Sequence, residues 1–150
     1  MYKKIAVAVD GSKTSDTALD EAIKLAGEMG STLLLLHVCE EVPVMWEADG
    51  VNVAPIQDIM KAIADAAKAL LEKCKKRVAS QGIAVETKLV ESAGDRLGGV
   101  ISQEAQKWNA DLLVVGTHGR KGIEHLLMGS VAEGAIRTAA MPVLLVRAKT

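Results

Sequence analysis

Short apolar runs alternate along the chain with longer stretches whose apolar residues recur every three or four positions. Residues 5–9 are continuously apolar, the pattern of a strand buried on both faces. Over residues 16–29, Ala18, Leu19, Ala22, Ile23, Ala26 and Met29 share one helical face, and Gly30 ends the helix. Residues 32–38, with four consecutive leucines, give a second buried strand. Residues 40–53 follow neither period and hold Pro43, Trp46, Asp49, Gly50 and Asn52. Such a loop suits a lid or binding segment as well as a simple surface excursion, with Trp46 either an anchor on the domain or a wall of a ligand pocket.

A long helix follows over residues 55–81, carried by Ile56, Ile59, Ile63, Ala67, Leu70, Cys74 and Val78. Lys73, Lys75, Lys76 and Arg77 lie near its end, where cations favour the helix dipole, so this basic cluster reads as a solvated helix terminus. Gly82 stops the helix, and residues 83–90 set Val85, Thr87 and Leu89 against Glu86 and Lys88, as in an outer, half-exposed strand. Residues 95–109 form a third helix through Leu97, Ile101, Ala105 and Trp108, weakened by Gly98-Gly99, with Trp108 a packing residue. Residues 112–115 are a fourth buried strand, a fourth helix opens at Gly129, and residues 142–147 are the last strand. Five strands alternating with four helices predict one α/β domain over residues 1–150, a doubly wound parallel sheet with helices on both faces.

Composition narrows the function. Hydrophobic residues make up 49% of the chain, yet it has no Phe, one Tyr and two Trp, so the core is aliphatic and alanine-rich. Eighteen basic residues against 19 acidic ones give a net charge of −1, which points away from a nucleic-acid or membrane surface. Cys39 and Cys74 lack the paired spacing of a zinc or redox site and read as small buried hydrophobes or free thiols. No apolar run approaches the roughly 20 residues of a membrane span. Met1-Tyr2-Lys3-Lys4 leads directly into a strand rather than a signal peptide, so a cytoplasmic location is expected.

The chemistry concentrates between Asp111 and Val131. Gly116 and Gly119 bracket Thr117 and His118 directly after the fourth strand, and Gly129-Ser130 opens the next helix. Glycines at such a break allow positive φ and close approach of the backbone to a ligand. The free amides and positive dipole end of the following helix favour phosphate. Both glycine sites fall at the carboxyl end of a strand, where α/β sheets bind ligands. Ordinary readings stand beside these: Gly116 and Gly119 also suit a plain turn, and Ser130 with Glu133 also fits a capping box. Neither common phosphate fingerprint is present.

Residues 116–131, Val7-Ala8-Val9-Asp10-Gly11-Ser12, Leu36-His37-Val38 and Pro142-Val143-Leu144-Leu145-Val146-Arg147 together resemble the universal stress protein family, over essentially the whole chain. The ATP-binding members of that family carry Gly-x2-Gly-x9-Gly-Ser/Thr, which is complete here at Gly116, Gly119, Gly129 and Ser130. The resemblance implies strand order 3-2-1-4-5, an adenine nucleotide alpha-hydrolase-like fold, and ATP as ligand. It places Asp10 near the ribose or a phosphate-bound metal, although Asp10 equally suits the start of the Asp-Gly-Ser turn. It sets Val38 against adenine through its backbone N–H and C=O, and Gly116, Gly119, Gly129, Ser130 and Val131 around ribose and phosphates. Arg120 and Lys121 add charge there or simply form a basic exposed loop. Any Mg²⁺ would arrive with the triphosphate, with Asp10 as its protein contact. The resemblance also implies a homodimer through the last strand, Val143, Leu144, Leu145 and Val146, in a C2 interface.

His118 and His125 have no carboxylate or nucleophile fixed beside them by the sequence, and three histidines without metal spacing do not make a metal site. Phosphoryl transfer needs a base or water-orienting group, a metal clamp and a charge-stabilising finger, and no dedicated catalytic set is evident. The expectation is an ATP-binding regulatory or stress-response protein with unknown protein partners and at most slow hydrolysis. The alternatives are an ATP-hydrolysing or nucleotidyl-transfer enzyme and a nucleotide-free interaction module.

Overall fold

The computed structural model describes residues 1–40, 54–92, 96–118 and 128–148. Its elements are β1 Lys4–Ala8, α1 Lys13–Met29, β2 Thr32–Glu40, α2 Ala54–Ala79, β3 Val85–Ser92, α3 Leu97–Lys107, β4 Leu112–Gly116, α4 Ser130–Thr138 and β5 Val143–Val146. The strands pair in parallel in the order β3-β2-β1-β4-β5, as the family resemblance implied. Most of the expected loop over residues 40–53, with Pro43 and Trp46, lies outside the described residues; Glu40 ends β2.

Alternation along the strands sends side chains to two separate cores. Ile5, Val7, Leu33, Leu35 and Val114 pack with Ala18, Leu19 and Ala22 of α1 and with Leu71, Cys74 and Val78 of α2. On the opposite face Ala6, Leu34, Leu36, Leu113 and Val115 pack with Ile101 and Ala105 of α3 and Ala135 of α4. Helices therefore cover both faces. The middle of each central strand is continuously apolar because both of its faces are buried.

Three sequence expectations change. The first helix starts at Lys13 rather than residue 16, because Ser12 caps it: the Ser12 Oγ accepts the Ser15 N–H at 3.2 Å. The long helical stripe is core only from Ala67 onward, while Ile59 and Ile63 are exposed. The reason is length. Twenty-six helical residues span ~39 Å, against ~30 Å for the nine-residue β2, so α2 is longer than the strand it covers, and Ile63 reaches only the strand ends at Cys39, Glu40, Leu89 and Glu91. Finally, the basic cluster at the end of α2 is not wholly solvated, since Arg77 pairs with Asp20 and approaches Asp16 on α1.

The amino end of the sheet is closed by polar contacts around α3. Trp108 donates its indole N–H to Glu86 at 3.1 Å, and the Lys4 ammonium lies 4.4 Å from its ring centre while donating to the Trp108 carbonyl at 2.9 Å. Asp111 accepts the Lys3 and Lys4 N–H groups at 2.9 Å each, and those bonds, Lys4 first, hold its carboxyl below the usual carboxylate range.

Glu104 on α3 is 8% exposed in its side chain and pairs with Lys107 at 2.8 Å and with Lys88 of β3. Hydrogen bonds from Lys107 and then Lys88 hold its carboxyl below the ordinary glutamate value of 4.5. A carboxyl lowered by folding adds stability above its unfolded value and loses it as pH falls through the folded value. Glu104→Gln is therefore expected to cost about 1 kcal/mol near pH 7, given that both lysines are half-exposed. Urea unfolding at a series of pH values should show this gap closing in acid. A gap that did not narrow as the pH falls would assign the effect to packing rather than charge.

Candidate functional site

The carboxyl ends of β1 and β4, adjacent in the sheet, meet at the point where the strand order turns. The connections leave β1 toward α1 on one face and β4 toward α4 on the other, and at such a switch point doubly wound sheets have their ligand crevice. Asp10, Gly116 and the α4 amino end border it.

On the β1 side the turn is held by its own hydroxyls and carboxylate. Asp10 Oδ1 accepts the Ser12 N–H at 2.8 Å, the Ser15 Oγ accepts the Asp10 N–H at 3.0 Å, and Gly11 sits at φ 80°. Asp10 thus fills its local role as a turn former, and that role fixes its carboxylate at the strand end. Ser15, 5% exposed, was not among the sequence candidates. Its signal was present as the Ser12-x-x-Ser15 cap.

On the β4 side Gly116 is not among the residues of positive φ. The glycine serves a different need from the one expected. A Cβ on it would lie 2.7 Å from Thr14 Cγ2 and 3.2 Å from the Thr14 carbonyl carbon and oxygen, so its absence lets the first turn of α1 rest on the end of β4. Thr117, 4% exposed, then acts as a junction. Its N–H donates to Val146 of β5 at 2.9 Å, and its carbonyl accepts the Gly129 N–H at 2.6 Å. The Thr117 hydroxyl lies 3.0 Å from His118 Nδ1.

Gly129, not Ser130, is the α4 cap residue, with φ −74° and ψ 161°. The capping-box reading of Ser130 and Glu133 is corrected accordingly: Ser130 is the first helical residue and is exposed, and the Glu133 carboxylate pairs with Arg137 at 2.7 Å. The first intrahelical bond runs from the Glu133 N–H to the Gly129 carbonyl at 3.0 Å. The amides of Ser130, Val131 and Ala132 precede it, leaving three donors without an intrahelical acceptor at the positive end of the dipole. Val131 is half-buried and packs on the α3/α4 core.

The helix start is placed by α3. A Cβ on Gly98 would meet the Val131 carbonyl oxygen at 2.4 Å, the Ala135 nitrogen at 2.6 Å and the Gly134 Cα at 2.7 Å. The buried Ser102 hydroxyl donates to both Gly98 and Ala135 carbonyls, at 3.0 and 3.1 Å. Gly98 and Gly134 allow backbone-to-backbone contact, and Gly98, read from sequence only as a weak point in a helix, sets where the α4 amides stand.

Val38 continues β2 two residues past Leu36 of the last Ala8–Leu36 rung, beyond the carboxyl end of β1. Of the expected site residues, the fold brings Asp10, Val38, Gly116, Gly129, Ser130 and Val131 to the carboxyl edge of the sheet. Gly119, Arg120, Lys121 and His125 lie outside the described residues. Among the described residues no group of three or more His, Cys, Asp or Glu side chains could hold a metal, and no helix is long and apolar enough to cross a membrane. Cys39, half-buried, and Cys74, buried, are not joined in a disulfide. Burial first and Asp16 second push the Cys74 thiol up, against a smaller opposing effect of Lys73.

Residues 1–147 match the Universal stress protein family. Universal stress protein MJ0531 of Methanocaldococcus jannaschii is 34% identical over 148 residues, covering 98% of this chain and 83% of that protein. The solved structure of MJ0577 from the same organism superposes with a TM-score of 0.83 at 28% identity, covering 100% of this chain and 99% of the other. A universal stress protein solved in complex with cAMP matches at TM-score 0.70 and 26% identity over 99% of both chains. A family match along nearly all of its length, joined to a shared sheet order and full-length structural likeness, means that this chain belongs to the universal stress protein family.

Proposed function

We propose that this chain is an ATP-binding, homodimeric regulator of stress response, with at most slow ATP hydrolysis. The observation that carries the reading is the set of three α4 amides, Ser130, Val131 and Ala132, standing beside the crevice between β1 and β4. Such donors suit phosphate oxygens. The cAMP complex of a relative 26% identical supports an adenine nucleotide as the class of ligand. In this reading Gly116, Gly119, Arg120, Gly129, Ser130 and Val131 surround ribose and phosphates, and Val38 meets the base. Asp10 offers a hard oxygen donor of the kind Mg²⁺ takes when it arrives with the triphosphate.

The dimer would form through the outer edge of β5. Its inner edge is bonded to β4, from Leu113–Val143 to Gly116–Val146, and Leu144 is 37% exposed. An apolar edge strand favours pairing with its counterpart in a second chain. Because Thr117 bonds both Val146 and Gly129, β5 is one residue removed from the start of α4.

Protein purified without added nucleotide should release ATP or ADP on denaturation, identified by mass spectrometry, and its native mass should be twice 15.8 kDa. A Gly119→Val, Gly129→Val double variant should release none. A wild-type protein that releases nothing, and that binds no ATP when ATP and Mg²⁺ are added, ends the nucleotide reading. A native mass of one chain ends the dimer.

A further inference from the structure

The ladder between β1 and β2 stops one rung early, and a side chain takes the missing rung's place. Thr32 donates its N–H to Lys3 of the β1 side at 2.9 Å, whereas Leu33 donates to Ala84 on the β3 side at 2.9 Å. Even-numbered residues of β2 therefore turn their backbone N–H and C=O toward β1. The last bond of the series joins the Val9 N–H to the Leu36 carbonyl at 2.8 Å, and the register ends at Ala8–Leu36. In a parallel ladder the next bond runs from the Val38 N–H to the Val9 carbonyl. Among the described residues that bond is not made. The Val9 carbonyl instead contacts Nδ1 of His37 at 2.7 Å, from a ring only 8% exposed. A carbonyl oxygen only accepts, so Nδ1 carries the hydrogen and donates it.

We infer that His37 is a positioning residue for the nucleotide base: its imidazole satisfies the Val9 carbonyl in place of the Val38 amide, and so leaves the Val38 N–H and C=O unpaired for the donor–acceptor edge of a purine. The inference rests on the nucleotide reading above for its ligand, but the exchange of roles between ring and amide stands on the fold alone. Strand alternation reinforces it. His37 falls on the face of Leu33 and Leu35, and Val38 on the face of Leu34 and Leu36, so the ring reaches the Val9 carbonyl without occupying the space in front of Val38. An unpaired carbonyl at Val9 would otherwise attract the Val38 N–H and extend the strand by one rung, closing the base-reading backbone.

The test follows amide exchange and ligand affinity in the whole chain, for the wild type, His37→Leu and His37→Asn. Leucine fills the space without a donor. Asparagine places a side-chain N–H close to where Nδ1 stands. The ligand-free wild type should show a rapidly exchanging Val38 amide beside a protected Leu36, and His37→Leu should protect Val38 as its N–H takes the Val9 carbonyl. Affinity for ATP should fall about tenfold in His37→Leu, the loss of one well-placed hydrogen bond, and return to within about threefold of wild type in His37→Asn. Inorganic tripolyphosphate, which lacks a base, should bind all three proteins alike; a merely structural defect would weaken it as well. A Val38 amide already protected in the ligand-free wild type overturns the inference, as does His37→Leu with unchanged exchange and unchanged ATP affinity. A wild type that binds neither ATP nor tripolyphosphate overturns the nucleotide reading instead, and the exchange comparison still decides the role of His37.

Discussion

Gly98→Ala is expected to destabilise the protein by about 2 kcal/mol, although alanine is the better helix former. In an exposed helix interior the change from Gly to Ala gains about 1 kcal/mol. Here the added methyl would stand 2.4 to 2.7 Å from three backbone atoms of α4, at Val131, Gly134 and Ala135. Backbone cannot rotate out of the way as a side chain can. Overpacking against it costs about 3 kcal/mol, enough to outweigh the propensity gain. The neighbouring residue supplies the control, because a Cβ on Gly99 meets nothing within 4 Å. Gly99→Ala should therefore raise stability by about 0.5 to 1 kcal/mol. Urea midpoints of the two variants should move in opposite directions. Two shifts of the same sign would mean that α3 and α4 do not touch at this glycine. The site should respond as well, since the atom struck first is the carbonyl of Val131 in the opening turn of α4. If the α4 amides hold phosphate, Gly98→Ala loses ATP affinity and Gly99→Ala keeps it.

These two glycines illustrate what the sequence could and could not disclose. Gly98-Gly99 looks alike at both positions, a weak spot in a helical pattern, because helical periodicity reports which face is buried and not how close the next backbone comes. The contact depends on Gly134, 36 positions away, and only the tertiary crossing brings the pair to the 3.2 Å at which a Cβ on Gly134 would meet Gly98. The strands were legible for the opposite reason. Residues such as Val7, Leu35 and Val114 are buried because both sheet faces are covered, and a continuous apolar run is the direct trace of that burial. Strand order left no such trace and came from the family resemblance. Ile59 and Ile63 misled because an apolar stripe says nothing about where the sheet beneath it ends.

The candidate site was legible as a motif and illegible as a mechanism of packing. Gly116, Gly129 and Ser130 stand at the carboxyl edge of the sheet, as their spacing suggested, but two of their local reasons differ from the expected ones. Gly129 has an ordinary extended conformation and is the cap itself, which moves Ser130 into the helix. The hydroxyls that do hold backbone at the site belong to Ser12 and Ser15. His37 entered the sequence reading only within Leu36-His37-Val38, one of the segments that carry the family resemblance, with no role of its own. Its bond to Val9 requires two strands in a particular register, information that no local window contains.

The second large effect is expected at Gly116, and it should be recoverable by a change on another element. Gly116→Ala places a methyl 2.7 Å from Thr14 Cγ2 and 3.2 Å from the Thr14 carbonyl group. The side-chain contact is the tighter one, so most of the expected cost of about 2 kcal/mol should come from that methyl. Thr14→Ser removes it and keeps the hydroxyl. In the double variant the cost of Gly116→Ala should fall by about 1 kcal/mol, a coupling of the size found between residues in contact. Additive costs would place Thr14 elsewhere than on the end of β4. Thr14 lies in the first turn of α1, next to the Ser12 cap and the Asp10 turn, and pushing it outward displaces the acidic side of the crevice from the amide side. ATP affinity measured in the same three variants should therefore track the stability cycle, falling in Gly116→Ala and partly returning in the pair. A loss of affinity that Thr14→Ser does not relieve would mean that Gly116 is small because the nucleotide, rather than α1, comes close to it.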